Sequence, residues 1–161
     1  MEYEQLFECF YQNKVRYVIC GGLAVNIYGI PRMTADIDLI IDFTPENISL
    51  FETCMRGVGY QASIPVPLRE MADSEKRIAL IRDKNMMAYS FYNSRAGQVA
   101  VDILVNVPLS FEKLWDNRET RSLGTGEVYL SSIPDLITLK EFAGRPQDKS
   151  DIILLSRLLN K

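Results

Sequence analysis

No histidine occurs among the 161 residues, and that one absence removes the imidazole from every mechanism available to the chain. Ser-His-Asp triads, Cys-His nucleophilic pairs and histidine-ligated zinc are excluded. Cysteine is scarce as well. Cys9, Cys20 and Cys54 show no short metal-ligand spacing, and an odd number in apolar surroundings fits reduced thiols rather than a disulfide framework. Basic residues are not in excess: 18 Lys and Arg stand against 21 Asp and Glu, net charge -3, so the overall charge gives no nucleic-acid footprint. Long apolar runs are missing, and the first residues, Met1-Glu2-Tyr3-Glu4, are acidic rather than basic. Neither a signal peptide nor a membrane span is expected, and the predicted location is cytoplasmic. With 47% hydrophobic residues, one sizeable core is affordable. That predicts a single domain over 1–161, with a core at 15–131 and a C-terminal helix pair at 132–161.

What the chain does contain is concentrated between Gly21 and Asp38. Tyr17-Val18-Ile19-Cys20 reads as a short buried strand, and Gly21-Gly22 falls at its exit, where Leu23 to Tyr28 begins a helix. Glycine lets an anion approach the unpaired N–H groups of a helix start, although a strand-to-helix turn needs glycine on conformational grounds too. Asp36-Ile37-Asp38 then opens a second strand, continued by Leu39-Ile40-Ile41. Alternate side chains on a strand share a face, so the two carboxylates point the same way, about 7 Å apart along the backbone. A lone Asp at a strand end is ordinarily just solvated. Paired carboxylates folded against a glycine turn are the layout of a phosphate cradle beside a metal-binding strand.

A third carboxylate comes from Val99-Ala100-Val101-Asp102-Ile103-Leu104-Val105. Val99, Val101, Ile103 and Val105 take one face, leaving Asp102 on the other between Ala100 and Leu104, where an unpaired buried charge is expensive. A metal would explain it; so would an ion pair with a nearby Arg or Lys.

Elsewhere, Tyr3 to Gln12 predicts a helix with Leu6, Phe7, Phe10 and Tyr11 toward the core. Thr44-Pro45-Glu46-Asn47 is a helix start, and that helix runs to Gly57-Val58-Gly59. Pro65 and Pro67 break the next stretch, whose Arg69, Lys76, Arg77, Arg82 and Lys84 either form a solvated face or line an acceptor or triphosphate channel. Met86 to Tyr92 and Gln98 to Val105 read as a hairpin around Asn93–Gly97, which would bring Asp102 into the sheet of Asp36 and Asp38. Phe111 to Trp115 is a short amphipathic segment, Glu127 to Leu130 a strand, and Ser131-Ser132-Ile133-Pro134-Asp135 another helix start. Leu136, Leu139 and Phe142 are expected as its buried stripe, with Lys140 on a different face. Gly144 ends it, and Arg145-Pro146 starts a last helix marked by Ile152, Leu155 and Leu159. Spacing alone makes Lys140, Arg145, Asp148 and Asp151 a surface ion-pair cluster on an antiparallel helix pair.

Gly21-Gly22, the Arg32-x-Thr34-x-Asp36-x-Asp38 stretch and Asp102 resemble the nucleotidyltransferase superfamily with the DNA polymerase beta-like catalytic fold. Leu139-Lys140-Glu141-Phe142-Ala143-Gly144-Arg145-Pro146-Gln147-Asp148-Lys149-Ser150-Asp151-Ile152 further resembles the C-terminal signature of the AbiEii-like toxin nucleotidyltransferases, so the likeness spans residues 15 to 160. Many superfamily members carry Ser after the first glycine, where this chain has Gly22. The resemblance implies an α/β (α+β) fold with a mixed sheet flanked by helices. It implies transfer of a nucleoside monophosphate from an NTP to an acceptor hydroxyl, with Mg2+, two ions, or Mn2+ held by Asp36, Asp38 and Asp102. Gly21 and Gly22 would hold the triphosphate, with Arg32, Thr34 and Lys140 as further contacts and Asp148 positioning the acceptor or Lys140. The implied acceptor is a tRNA, a protein hydroxyl or a small molecule, and the implied partner is an antitoxin protein. Two other readings remain: a non-catalytic nucleotide-binding or interaction module on the same fold, and a small-molecule (antibiotic) nucleotidyltransferase.

Overall fold

A computed structural model describes residues 3–95, 97 and 99–161. Met1, Glu2, and the Ala96 and Gln98 of the predicted hairpin connection lie outside the described residues. The chain opens with helix α1 (Glu4–Gln12), strand β1 (Tyr17–Cys20), helix α2 (Gly21–Ile27) and strand β2 (Asp36–Ile41). Then come helix α3 (Pro45–Val58), strand β3 (Tyr60–Ala62), a 3-10 turn at Leu68–Ala72, helix α4 (Ser74–Lys84), and strands β4 (Ala88–Asn93) and β5 (Ala100–Leu104). Helix α5 (Phe111–Asp116), strands β6 (Glu119–Leu123) and β7 (Gly126–Leu130), and helices α6 (Ile133–Ala143) and α7 (Pro146–Leu159) complete it.

The strands form one seven-stranded mixed sheet in the order β3-β4-β5-β2-β1-β7-β6. Its centre decides where the chemistry sits. β2 runs antiparallel to β1 and parallel to β5, with Asp38 opposite Cys20 on one side and opposite Asp102 on the other. The hairpin partner β4 lies antiparallel to β5, so Asp102 reaches the sheet of Asp36 and Asp38 as expected.

Local chemistry explains the element ends. Thr44 accepts a hydrogen bond from the Asn47 N–H to open α3, Ser132 does the same for Asp135 in α6, and Gly59 and Gly144 close their helices in left-handed conformations. Leu6, Phe7 and Phe10 of α1 are buried against Tyr17, while Phe10 stacks on Phe51 of α3 with ring centroids 5.1 Å apart. Burying each such ring stabilises the fold by about 1.5–3 kcal/mol. Tyr11, expected in that stripe, is instead exposed and covers Gly126, because its position is turned away from the Leu6-Phe10 face. β6 was not expected: Glu-Thr-Arg-Ser-Leu carries no alternating apolar residues, and its pairing with β7 makes it a strand. Among the described residues, no helix is long and apolar enough to cross a membrane.

The C-terminal helix pair departs most from its sequence pattern. Leu136 and Leu139 are buried, but Phe142 is half exposed and Lys140 is only 3% exposed. Lys140 lies one turn beyond Leu136 and therefore shares its face. In α7 the buried residues are Asp148, Asp151 and Leu155, while Leu159 is exposed and Ile152 only partly covered. Of the cluster expected at the surface, Lys140, Asp148 and Asp151 thus form the buried seam between the two helices, and Arg145 alone stays exposed.

Candidate active site

Three carboxylates meet at the middle of the sheet. Asp36 and Asp38 alternate along β2, Asp102 comes from β5 in register with Asp38, and one carboxylate oxygen from each lies within 4.8 Å of the others. All three are partly exposed, so Asp102 is not the buried carboxylate expected from its apolar strand. No ion pair to a protein cation reaches any of them among the described residues. Burial, then repulsion from Asp102, raises the Asp36 carboxyl above its ordinary range, with Arg145 and Arg32 pulling the other way. Asp38 is pushed up to about 6 by burial and by the charges of Asp36 and Asp102, against the pull of Arg145 and Lys140. An all-oxygen set of crowded carboxylates is the donor type that hard divalent cations such as Mg2+ and Mn2+ take.

Gly21 fits the turn for two reasons. Its φ is +63°, and a Cβ there would fall 1.9 Å from Asp38 Oδ2, so the backbone has closed onto the carboxylate. At Gly22 a Cβ would lie 2.2 Å from Arg32 Nη1 and 2.8 Å from Thr34 Oγ1. The space a side chain at 22 would fill is taken by these two residues. Thr34 Oγ1 donates to the Asp36 carbonyl at 3.1 Å, which ties the loop to the head of β2.

Behind this turn lies the helix seam. Lys140 Nζ donates to Asp151 Oδ2 at 2.7 Å and to Asp148 Oδ1 at 3.4 Å. Asp151 also pairs with Arg32 Nε at 3.3 Å, and Asp148 accepts from the Arg145 backbone N–H at 3.0 Å and from its Nε at 2.9 Å. Burial alone would raise the Asp148 carboxyl, but the Arg145 hydrogen bonds and the charges of Arg145 and Lys140 bring it below its usual range. The network joins α6 and α7 to the loop over the glycine turn.

Two clefts open on either side of Asp38 and Arg145, which line both. One, about 370 Å³, is walled mainly by apolar side chains and also reaches Gly21, Lys140 and Asp148. The other, about 300 Å³, is polar and holds Gly22, Arg32, Thr34, Asp36 and Gln147. The nine residues singled out from sequence therefore converge, with Asp102 completing the carboxylate group. Arg145 and Asp151 were seen in the sequence only as members of a surface cluster; Asp151 joins the site through burial that spacing did not signal, and Arg145, which stays exposed, through its hydrogen bonds to Asp148 and its place in both clefts. The basic segment is the counter-case. Lys76 pairs with Glu70, Arg82 with Asp83, and Arg77 lies 4.6 Å over the Phe43 ring; none of Arg69, Lys76, Arg77, Arg82 and Lys84 lines either cleft.

A family model described as the nucleotidyl transferase AbiEii toxin of a type IV toxin-antitoxin system matches residues 6–143. The chain belongs to the AbiEii nucleotidyltransferase family. Membership makes it an enzyme of the nucleotidyltransferase class. The matched segment stops at the end of α6, so Arg145, Asp148 and Asp151 of this AbiEii-family chain are tied to the site by their contacts rather than by the match. No match is found among curated proteins. Among solved structures, the crystal structure of ANT(2")-Ia in complex with adenylyl-2"-tobramycin is similar, at 12% identity over 96% of this chain and 86% of that one, TM-score 0.58. That likeness shows a shared nucleotidyltransferase-type fold: a mixed sheet flanked by helices.

Proposed function

We propose that this chain is a Mg2+-dependent nucleotidyltransferase that moves a nucleoside monophosphate from an NTP to an acceptor hydroxyl and acts as the toxin of a toxin-antitoxin pair. The convergence of Asp36, Asp38 and Asp102 within 4.8 Å beside the Gly21 turn carries this reading. Asp36, Asp38 and Asp102 would hold Mg2+ or Mn2+, which supplies charge neutralisation at the phosphates. Gly21 and Gly22 would hold the triphosphate at the turn, and Arg32 and Arg145 offer guanidinium donors from the polar cleft. The acceptor oxygen attacks the α-phosphorus, a new O–P bond forms, the bond to the bridging oxygen breaks, and pyrophosphate leaves. Asp102 would take the proton from the attacking hydroxyl. Lys140 is held by Asp148 and Asp151 and lines the same cleft as Asp38, so its charge would offset part of the repulsion among the sheet carboxylates.

The test has two parts. Transfer of label from an α-labelled NTP to candidate acceptors, a tRNA pool, protein or aminoglycoside, is measured with and without Mg2+ for wild type and Asp36→Asn. Metal-dependent transfer lost in the variant supports the reading, and metal-independent or variant-insensitive transfer refutes it. Growth of bacteria producing wild type or Asp36→Asn then tests the toxin role: arrest by the wild type alone is expected, and indistinguishable growth removes that role.

A further inference from the structure

The apolar cleft beside Asp38 contains one polar group that phosphate chemistry leaves unused. Met87, Leu104, Val107, Leu139 and Phe142 supply most of its wall, and Asn106 is its only side-chain amide. The Asn106 Nδ2 has no better contact than the Met87 sulfur at 3.8 Å, and among the described residues no protein donor meets its Oδ1. A primary amide offers two donors and an acceptor oxygen, and this partly exposed one, with no protein nitrogen or oxygen partner among the described residues, is free to engage a ligand that enters the cleft. The group is nevertheless held in place: the neighbouring Val105 N–H donates to the Met87 carbonyl at 3.1 Å, and Pro108 stiffens the chain two residues on.

The cleft's charges point elsewhere. Lys140 is bonded to two carboxylates, and Arg145 is bonded to Asp148 and shared with the polar cleft, so the apolar wall offers no free cation for a phosphate. Flat apolar surface with one amide suits a nucleobase, which presents a π-face to pack and an edge to hydrogen-bond. Asp38 and Asn106 line the same cleft, so a nucleotide whose phosphates lie at the carboxylates can turn its base toward the amide.

We propose that this cleft binds the base of the NTP and that Asn106 reads its edge, making Asn106 the residue that sets base preference; this rests on the nucleotidyltransferase reading above. The polar cleft then takes the phosphates, and the two meet at Asp38 and Arg145. A bidentate amide-base contact discriminates by about tenfold or more, which sets the scale of the test.

Affinities of ATP, GTP, CTP and UTP, and of inorganic tripolyphosphate, are measured with Mg2+ for the full chain, Asn106→Ala and Asn106→Asp. Wild type is expected to separate the best from the worst base by about tenfold, and Asn106→Ala to compress that range to within about threefold. Asn106→Asp presents only acceptors, and guanine carries two adjacent donors on its Watson–Crick edge, so GTP should gain about tenfold relative to ATP. Tripolyphosphate should bind all three proteins alike. A base ranking unmoved by both variants, equal wild-type affinity for all four bases, or a parallel loss of tripolyphosphate binding overturns the base assignment. No Mg2+-dependent NTP or tripolyphosphate binding by the wild type overturns the nucleotidyltransferase reading itself.

Discussion

Asp36, Asp38 and Asp102 crowd within 4.8 Å of one another with, among the described residues, no cation bonded to any of them, whereas Asp148 and Asp151, on the other wall of the same site, each hold two cations. One group is partly exposed and unmatched, the other buried and matched. A matched buried network fixes position: Asp151 locks Lys140 and Arg32 together, and Asp148 locks Lys140 and Arg145. Unmatched carboxylates pay repulsion in the free protein and are stabilised only when positive charge arrives from outside. The seam braces the two helices and the loop over the glycine turn, and the sheet carboxylates are left unmatched.

The largest effect should come from the unmatched group. Asp36→Asn or Asp38→Asn is expected to slow transfer by about a thousandfold or more, ~4 kcal/mol in the barrier, while the metal-free melting temperature stays level or rises as repulsion is relieved. Thermal unfolding in a chelator beside the transfer rate checks both halves. A marked fall in stability would mean that these carboxylates brace the fold as the seam does.

The matched group should behave oppositely. Asp151→Leu leaves Lys140 and Arg32 without their shared carboxylate, and breaking one partner of a buried pair costs about 3–5 kcal/mol, read as a fall in the urea midpoint. Stability equal to the wild type would put Asp151 in the same class as the sheet carboxylates.

Gly22→Ala probes the joint between the groups. Its Cβ must displace Arg32 Nη1 and press on Thr34, which should cost about 1–3 kcal/mol and loosen Arg32 from Asp151. An unchanged midpoint would show that Arg32 yields freely.

Acid should separate the groups by sign. Asp148, lowered in the fold, contributes stability that is present above its unfolded pKa and lost as pH falls through the lower folded value. Wild type should therefore lose stability on acidification below about pH 4, and Arg145→Ala, which removes the main cause of the lowering, should lose less over the same interval. Urea midpoints at pH 5 and pH 3 decide it. Equal losses would detach Asp148 from Arg145.

The smallest effect should be at Arg82, exposed on α4 and paired only with its neighbour Asp83. Arg82→Ala is expected to change neither the unfolding midpoint nor NTP affinity, because exposed pairs contribute little. A drop in affinity would restore the α4 cations as part of the substrate path.

The sheet side of the site was legible in the sequence because its signals are local. Gly21-Gly22 at a strand exit, Asp36 and Asp38 with the strand period, and Asp102 in an alternating apolar run each announce their place through neighbours a few residues away. The seam was not. Lys140, Asp148 and Asp151 look like surface charges because charged residues usually are, and only their mutual pairing makes burial tolerable. Arg32 gave no sign that it would occupy the space beside Gly22, and β6 has no apolar period.

What the sequence determined by itself was therefore the kind of chemistry, carboxylates and a glycine turn with no histidine, and the strands that carry it. Tertiary structure alone decided the depth at which each charge sits and which partner it meets. Periodicity encodes a residue's direction from its own element, whereas burial and pairing depend on which other elements pack against that face. Hence the same residue type, aspartate, became an unmatched cluster on β2 and β5 and a closed brace on α7.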